Sequence, residues 1–262
     1  MKVSVLGDVH GNLPALQRAL ASIRQRGTDR VVILGDLLTY GPFVRDVVDL
    51  VADVVGGGRA TLLRGNHDWV YSATEQESET YRANLADWVR ESIEWCRVRL
   101  DYTAFCALPW VDESVVEGIL LSHANPYGLN DWTYLSAGPE EERAAAALAG
   151  RDVRFGVFGH THRSRVFSPH LDGGRALLPG DRVEFRRPCA DGCAVVMNAG
   201  SVGQPRYSPP ASVFLELVVE PSSLLAELVP VTYDVGQFCR SIAACSMSEG
   251  TKERLKAFFT RD

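Results

Sequence analysis

The chain has 262 residues, 46% hydrophobic and 23% charged, close to the average of soluble globular proteins. That balance excludes a disordered chain, a collagen-like fibre and a coiled coil. Lys and Arg number 27 against 33 Asp and Glu, a formal charge of −6, so no global positive field draws the chain to nucleic acid or to an anionic membrane.

The first apolar run, in MKVSVLGDVH, is broken at Gly7 and Asp8 and is too short for a secretory segment; no run of 18 apolar residues could span a bilayer. Six scattered cysteines (96, 106, 189, 193, 239 and 245) form no C-x-x-C pair, which predicts reduced thiols and a cytoplasmic protein. No linker or shift in composition divides the chain, so a single domain over 1–262 is expected.

Residues 2–6 read as a buried strand and 13–26 as a helix, with Leu13, Leu16, Leu20 and Ile23 at helical spacing. A strand at 31–34, a helix at 44–55 closed by Gly56-Gly57-Gly58, and a strand at 61–63 follow. This alternation predicts parallel strands with crossover helices. Residues 72–105 read as a charged helical insert, a candidate lid or substrate wall made aromatic with its flanks by Trp69, Tyr71, Tyr81, Trp88, Trp95 and Tyr102; a packed helical layer is favoured over base stacking. Residues 113–122 read as strand, 139–150 as an Ala-rich helix with Glu140, Glu141 and Glu142 in its first turn, and 154–158 as a buried strand. From 164 to 231 short strands at 175–178, 182–185, 194–198, 212–219 and 226–233 suggest a second sheet facing the first, and 235–259 a helical tail. The fold class is α/β (α+β): two packed sheets with helices outside.

One local unit recurs. VSVLGD ends at Asp8, VVILGD at Asp36, TLLRGN at Asn66 and FGVFGH at His160; ILLSH ends at His123 with Ser in place of Gly. Each is a buried strand followed by a tight turn and a side chain able to bind a metal. Sites in parallel sheets lie just beyond the carboxyl ends of the strands, so these five residues should share one rim of one sheet. Asp8-Val9-His10, Asn66-His67-Asp68 and His160-Thr161-His162 add further donors, leaving only His170 of the six histidines outside. Singly each motif is weak, because a G-D after a strand is commonly a helix cap and D-x-H commonly a solvated loop. Together and in order they point to metal chemistry.

The sequence resembles the calcineurin-like metallophosphoesterase superfamily, and within it the small bacterial and archaeal phosphodiesterase-like members. The blocks that carry the resemblance are GDVHGN (7–12), GDLLTYGP (35–42), GNHD (65–68), SHANP (122–126), GHTH (159–162) and NAGSVGQPR (198–206). The resemblance implies a β-sandwich flanked by helices in four layers, with two divalent metals at one edge. Asp8, His10 and His162 would hold the first metal and Asn66, His123 and His160 the second, with Asp36 bridging. Carboxylate, imidazole and amide oxygen without thiolate suit Mn, Fe, Ni, Co or Zn.

The activity implied is hydrolysis of a small or nucleotide-like phosphate ester, a diester first and a monoester as the runner-up. Hydroxide generated at the metal pair would attack phosphorus in line. By resemblance His67 would protonate the leaving oxygen or stabilise its charge, with Asp68 orienting the imidazole. Arg64, Arg206 and Tyr40 are candidate substrate-binding residues, although Arg64 and Arg206 could equally be surface arginines. Protein Ser/Thr phosphatases carry GDxVDRG and GNHE; the present GDLLTYGP and GNHD lack the first block's Arg, which disfavours a phosphoprotein substrate. A non-catalytic protein-binding scaffold is the competing class. Scaffold relatives typically lose the His of the GNHD block, which is present here.

Overall fold

The computed structural model describes residues 1–171, 173–189, 193–206 and 208–260. Among them, strands β1 (Lys2–Leu6), β2 (Arg30–Ile33), β3 (Ala60–Leu63), β4 (Trp110–Val111), β10 (Arg182–Arg186), β12 (Val213–Val219) and β13 (Ser223–Pro230) build one sheet, in the order β10-β13-β12-β1-β2-β3-β4. A second sheet holds β5 (Glu113–Val116), β6 (Ile119–Ser122), β7 (Phe155–Phe158), β8 (Arg165–Ser168), β9 (Gly173–Ala176) and β11 (Val195–Asn198), in the order β5-β6-β7-β11-β8-β9. Strands β1 to β4 are mutually parallel, as are β6, β7 and β11.

The strands read as continuous apolar runs because both faces are covered. Val3, Val5, Val32, Leu34 and Leu63 turn inward against Leu121, Val157 and Met197 of the second sheet. The alternate residues Leu6, Ile33 and Leu62 turn outward onto helices α1 (Leu13–Gln25), α2 (Val44–Gly56) and α5 (Asp87–Arg97). On the far side Leu120, Phe158 and Val196 meet Ala144 and Leu148 of α7 (Pro139–Gly150). Four layers result, each interface excluding water from whole aliphatic side chains at about 1.5–3 kcal/mol apiece.

Four expectations need correction. Residues 113–122 are not one strand but the hairpin β5–β6, because Glu117 (φ 53°) and Gly118 (φ 74°) both adopt the left-handed region that a two-residue hairpin turn requires. The late strands do not form a sheet of their own: β8, β9 and β11 join the second sheet, whereas β10, β12 and β13 return to extend the first past β1. Alternation reveals that a strand has two faces but not which neighbour it pairs with. The expected rim is drawn from both sheets, since Asp8, Asp36 and Asn66 follow β1, β2 and β3 while His123 and His160 follow β6 and β7. The tail is two helices, α8 (Val235–Ala243) and α9 (Glu249–Lys256), interrupted at 244–248.

The 72–105 segment carries α4 (Glu75–Ala83), α5 and α6 (Tyr102–Cys106), after α3 (Asn66–Ser72). Helix α5 buries Val89, Ser92, Ile93 and Cys96 against the body. Cys96, Cys106, Cys189, Cys239 and Cys245 are reduced thiols. Among the described residues no helix is long and apolar enough to cross a membrane.

Candidate metal centre

Turns at the carboxyl ends of five strands deliver the donors. Asp8 and His10 follow β1, Asp36 follows β2, Asn66 opens α3 after β3, His123 follows β6, and His160 and His162 follow β7. All seven residues are buried. Among the described residues ten that are not glycine have positive φ, and seven of these are Asp8, His10, Asp36, Thr39, Tyr40, His160 and His162. Each such residue costs on the order of 1–3 kcal/mol, a strain that clusters at functional sites where packing over-determines the backbone.

Backbone carbonyls orient the rings. His10 Nδ1 donates to Leu38 O (2.9 Å), His123 Nδ1 to Leu34 O (2.7 Å) and His162 Nδ1 to Gln204 O (2.8 Å); His160 is turned the other way, its Nε2 donating to Trp132 O (3.0 Å). A carbonyl can only accept, so in each ring the opposite nitrogen is left for a ligand.

Those remaining nitrogens converge. His10 Nε2 lies 3.2 Å from His162 Nε2 and 3.5 Å from Asp36 Oδ2, while His162 Nε2 lies 3.2 Å from Asp8 Oδ1. Beyond Asp36, His123 Nε2 lies 3.5 Å from the same Oδ2 and 3.0 Å from Asn66 Oδ1. Asn66 is aimed by Tyr81, whose hydroxyl accepts from Asn66 Nδ2 at 2.7 Å. Two groups able to hold a metal ion emerge, Asp8–His10–Asp36–His162 and Asp36–His123–His160, and they share Asp36.

Electrostatics make the same point. Burial, and then the neighbouring Asp8 charge, push the Asp36 carboxyl well above the usual carboxylate range, and burial pushes Asp8 up to about 6. Burial, reinforced by neighbouring positive groups, holds His10, His160 and His162 well below the usual imidazole range, which is the ligating form. Buried carboxylates facing unprotonated imidazole nitrogens form a donor set that fits a divalent cation. The structure thus brings all seven metal-ligand candidates together.

The catalytic candidates separate. Asp68 makes no hydrogen bond to the His67 ring. Its Oδ2 accepts from Asp36 N (2.5 Å) and Gly65 N (3.0 Å) and its Oδ1 from Leu37 N (2.9 Å), so the carboxylate clamps the turn after β2 to the start of α3. The expected orienting role of Asp68 is therefore corrected: its oxygens are taken by backbone amides. Burial raises the Asp68 carboxyl to about 7. His67 donates its backbone N–H to Asp36 Oδ1 (2.9 Å), and its Nε2 pairs with the Tyr40 hydroxyl (3.1 Å).

Arg64 lines a cleft of about 560 Å³ together with Ser122, His123, Asn125, Leu129 and Trp132. Arg206 reaches the opposite group: its charge acts on Asp8, His10 and Asp36, and a guanidinium nitrogen donates to Gln204 Oε1 (3.3 Å). Gln204 and Ser201, whose Oγ donates to Asp8 O (2.9 Å), were legible only as part of the NAGSVGQPR block. In that block Gly203 presses on the Asp8 turn so closely that a Cβ would lie 1.7 Å from Val9 O. The carbonyls of Leu34, Leu38 and Trp132 left no signal in the sequence, and neither did the stacking of Tyr134 on His160, with ring centroids 4.1 Å apart.

Comparison with known proteins agrees. The family model for calcineurin-like phosphoesterases matches residues 1–164. An uncharacterized protein of Methanocaldococcus jannaschii is 28% identical over 264 residues, spanning 97% of this chain and 96% of its own. A stretch of 42 residues, 16% of this chain and 23% of the relative, is 48% identical to phosphodiesterase YfcE of Escherichia coli K12. A metallophosphoesterase from Sphaerobacter thermophilus shares the fold, with a TM-score of 0.74 at 22% identity over 98% of this chain and all of its own. So does a hypothetical protein from Pyrococcus horikoshii OT3, at 0.74 and 16% identity over 97% of both chains. With its strand-end donors gathered into one buried Asp/His cluster, the chain belongs to the calcineurin-like phosphoesterases, hydrolases of phosphoric esters.

Proposed function

We propose that this chain hydrolyses small phosphodiesters, nucleotide-like esters among them, at a centre of two divalent cations. Asp8, His10 and His162 would hold one cation and Asn66, His123 and His160 the other, with Asp36 common to both groups. The observation that carries this reading is the shared carboxylate: Asp36 Oδ2 stands 3.5 Å from both His10 Nε2 and His123 Nε2, the inward nitrogens of the two groups. Mn, Fe, Ni, Co or Zn suits the donors. Bound there, divalent cations supply Lewis acidity, polarising phosphoryl oxygens and making water more acidic.

The chain's own residues do the rest. Arg206 offers N–H donors to a phosphoryl oxygen on one side of the centre, and Arg64 offers them from the cleft beside His123. The cleft walls, Trp132 and Leu129 among them, receive one arm of the ester and keep water from it. His67, buried beside Asp36, holds a proton toward the leaving oxygen as its charge grows.

Hydrolysis of bis-p-nitrophenyl phosphate with added Mn²⁺, measured for the wild type and for His67→Ala, tests the reading. The expected result is metal-dependent turnover that falls in the variant, by less for this weakly basic leaving group than the roughly 10²–10⁴-fold expected for a diester with an alkyl leaving group. No turnover with any divalent metal favours a protein-binding scaffold. Faster cleavage of p-nitrophenyl phosphate than of the diester moves the assignment to a phosphomonoesterase.

A further inference from the structure

Tyr40 occupies an expensive position. It follows Thr39, and both residues have positive φ, 71° and 73°, where a β-branched or bulky side chain is a genuine outlier. Several contacts hold the pair there. The hydroxyls of Tyr71 and Thr39 meet at 2.7 Å, and Ser92 Oγ of α5 accepts from Tyr40 N at 2.7 Å. Gly41 N donates to His10 O at 3.0 Å, and the two turns touch so tightly that a Cβ on Gly41 would lie 2.3 Å from that oxygen. The Tyr40 ring is packed between His10 (centroids 4.6 Å apart) and Trp88 (5.4 Å, stacked).

The outcome of this strain is one hydrogen bond. Tyr40 Oη lies 3.1 Å from His67 Nε2, with both side chains buried. The other ring nitrogen, Nδ1, is buried without a hydrogen-bond partner. Asp68, the neighbour expected to orient this ring, is committed to three backbone amides.

We propose that Tyr40 is the positioning residue of His67: its hydroxyl donates to Nε2, which places the imidazole proton on Nδ1 and presents that N–H to the leaving oxygen of the ester. The inference deepens the phosphoesterase reading and rests on it. No proton leaves Tyr40 or the ring; Nδ1–H donates a hydrogen bond to the oxygen that keeps the electron pair of the breaking P–O bond. Phenylalanine at position 40 keeps the ring packed and removes only the donor, so His67 loses what selects its tautomer and its orientation.

The test has a spectroscopic and a kinetic arm. Zinc-loaded protein carrying ¹⁵N-labelled histidine is compared as wild type and Tyr40→Phe by ¹H–¹⁵N correlation, with His67→Ala identifying the His67 signals. The expected result is a proton on Nδ1 of His67 in the wild type, and in Tyr40→Phe a shift toward the other tautomer with the remaining histidines unmoved. In the kinetic arm, Tyr40→Phe should lower kcat about tenfold for a diester with an alkyl leaving group and much less for one releasing p-nitrophenolate, with KM unchanged. The difference should vanish in a His67→Ala background. A proton on Nε2 in the wild type overturns the proposal. So does an equal loss for both leaving groups, or a Tyr40→Phe effect that persists without His67. A wild type that turns over no ester while the tautomer shift is present sinks the hydrolytic reading and leaves the hydrogen-bond assignment standing.

Discussion

His10 and His162, 152 positions apart in the chain, meet Nε2 to Nε2 at 3.2 Å. Each ring has turned its Nδ1 to a carbonyl, Leu38 O and Gln204 O, so neither has a proton to offer the other across the gap. Asp8 Oδ1 and Asp36 Oδ2, at 3.2 and 3.5 Å from these nitrogens, add two more electron-pair donors. Donors so close repel one another, and a divalent cation would relieve that repulsion.

Metal should therefore stabilise the fold strongly. At about 1,000 times its dissociation constant a bound cation adds about 4 kcal/mol, which raises Tm by roughly 10 °C in a chain of this size. Chelation should reverse the gain. Asp36→Asn should lose most of it, because Asp36 serves both groups. The same substitution should make the chelated protein more stable than the chelated wild type, since it removes a carboxylate that burial and the neighbouring Asp8 charge disfavour. Thermal unfolding with and without chelator, beside elemental analysis of each protein, checks both halves.

Asp68→Asn separates a clamp from a catalytic group. The amide keeps one acceptor oxygen, while its NH₂ faces a backbone N–H that Asp68 now satisfies. Leaving a buried donor unpaired costs about 1–3 kcal/mol. The expected result is a lower Tm in chelated protein, with metal affinity weakened through the displaced Asp36 turn. If Tm is unchanged and only kcat falls, the clamp is not what Asp68 does.

Arg64→Gln and Arg206→Gln should each raise KM for a diester by about tenfold or more, the worth of one charge-assisted hydrogen bond. They approach the centre from different sides, so their effects should add. Steady-state kinetics of the two single variants and the double variant measure this. A KM unmoved by either change assigns that arginine to the surface.

Cys96 gives the fold an alkaline limit. Burial pushes its thiol up to about 12, against about 8.5 in an unfolded chain. The folded state keeps this proton where the unfolded state has lost it, so the contribution is complete below about pH 8.5 and is lost as pH rises toward 12. Urea unfolding at pH 8 and pH 10.5 should show the decline, and Cys96→Ala should flatten it at the cost of a small cavity. A slope unchanged in Cys96→Ala would place the titration elsewhere, with Tyr71 the next candidate because burial raises its phenol as well.

Much of the centre was legible in the primary structure because its donors are local to strand ends. Asp8, Asp36, Asn66, His123 and His160 each follow a short apolar run and a tight turn, and that covalent order survives any arrangement of the sheets. The blocks in sequence identified the family, the donor types and the neutral or anionic character of the cluster. Hydrogen-bond partners were not legible. Asp68 and His67 are neighbours in the chain, yet the carboxylate faces Asp36 N and the ring faces Tyr40, because the start of α3 turns successive side chains in different directions. Nor could alternation tell that β12 would pair with β1 while β11 paired with β7, since an apolar strand has two equivalent edges. Sequence by itself thus determined which atoms could bind a cation and in what chain order they come. Tertiary structure decided which of their lone pairs face one another, because that depends on two sheets packed face to face and on carbonyls that carry no side-chain signal.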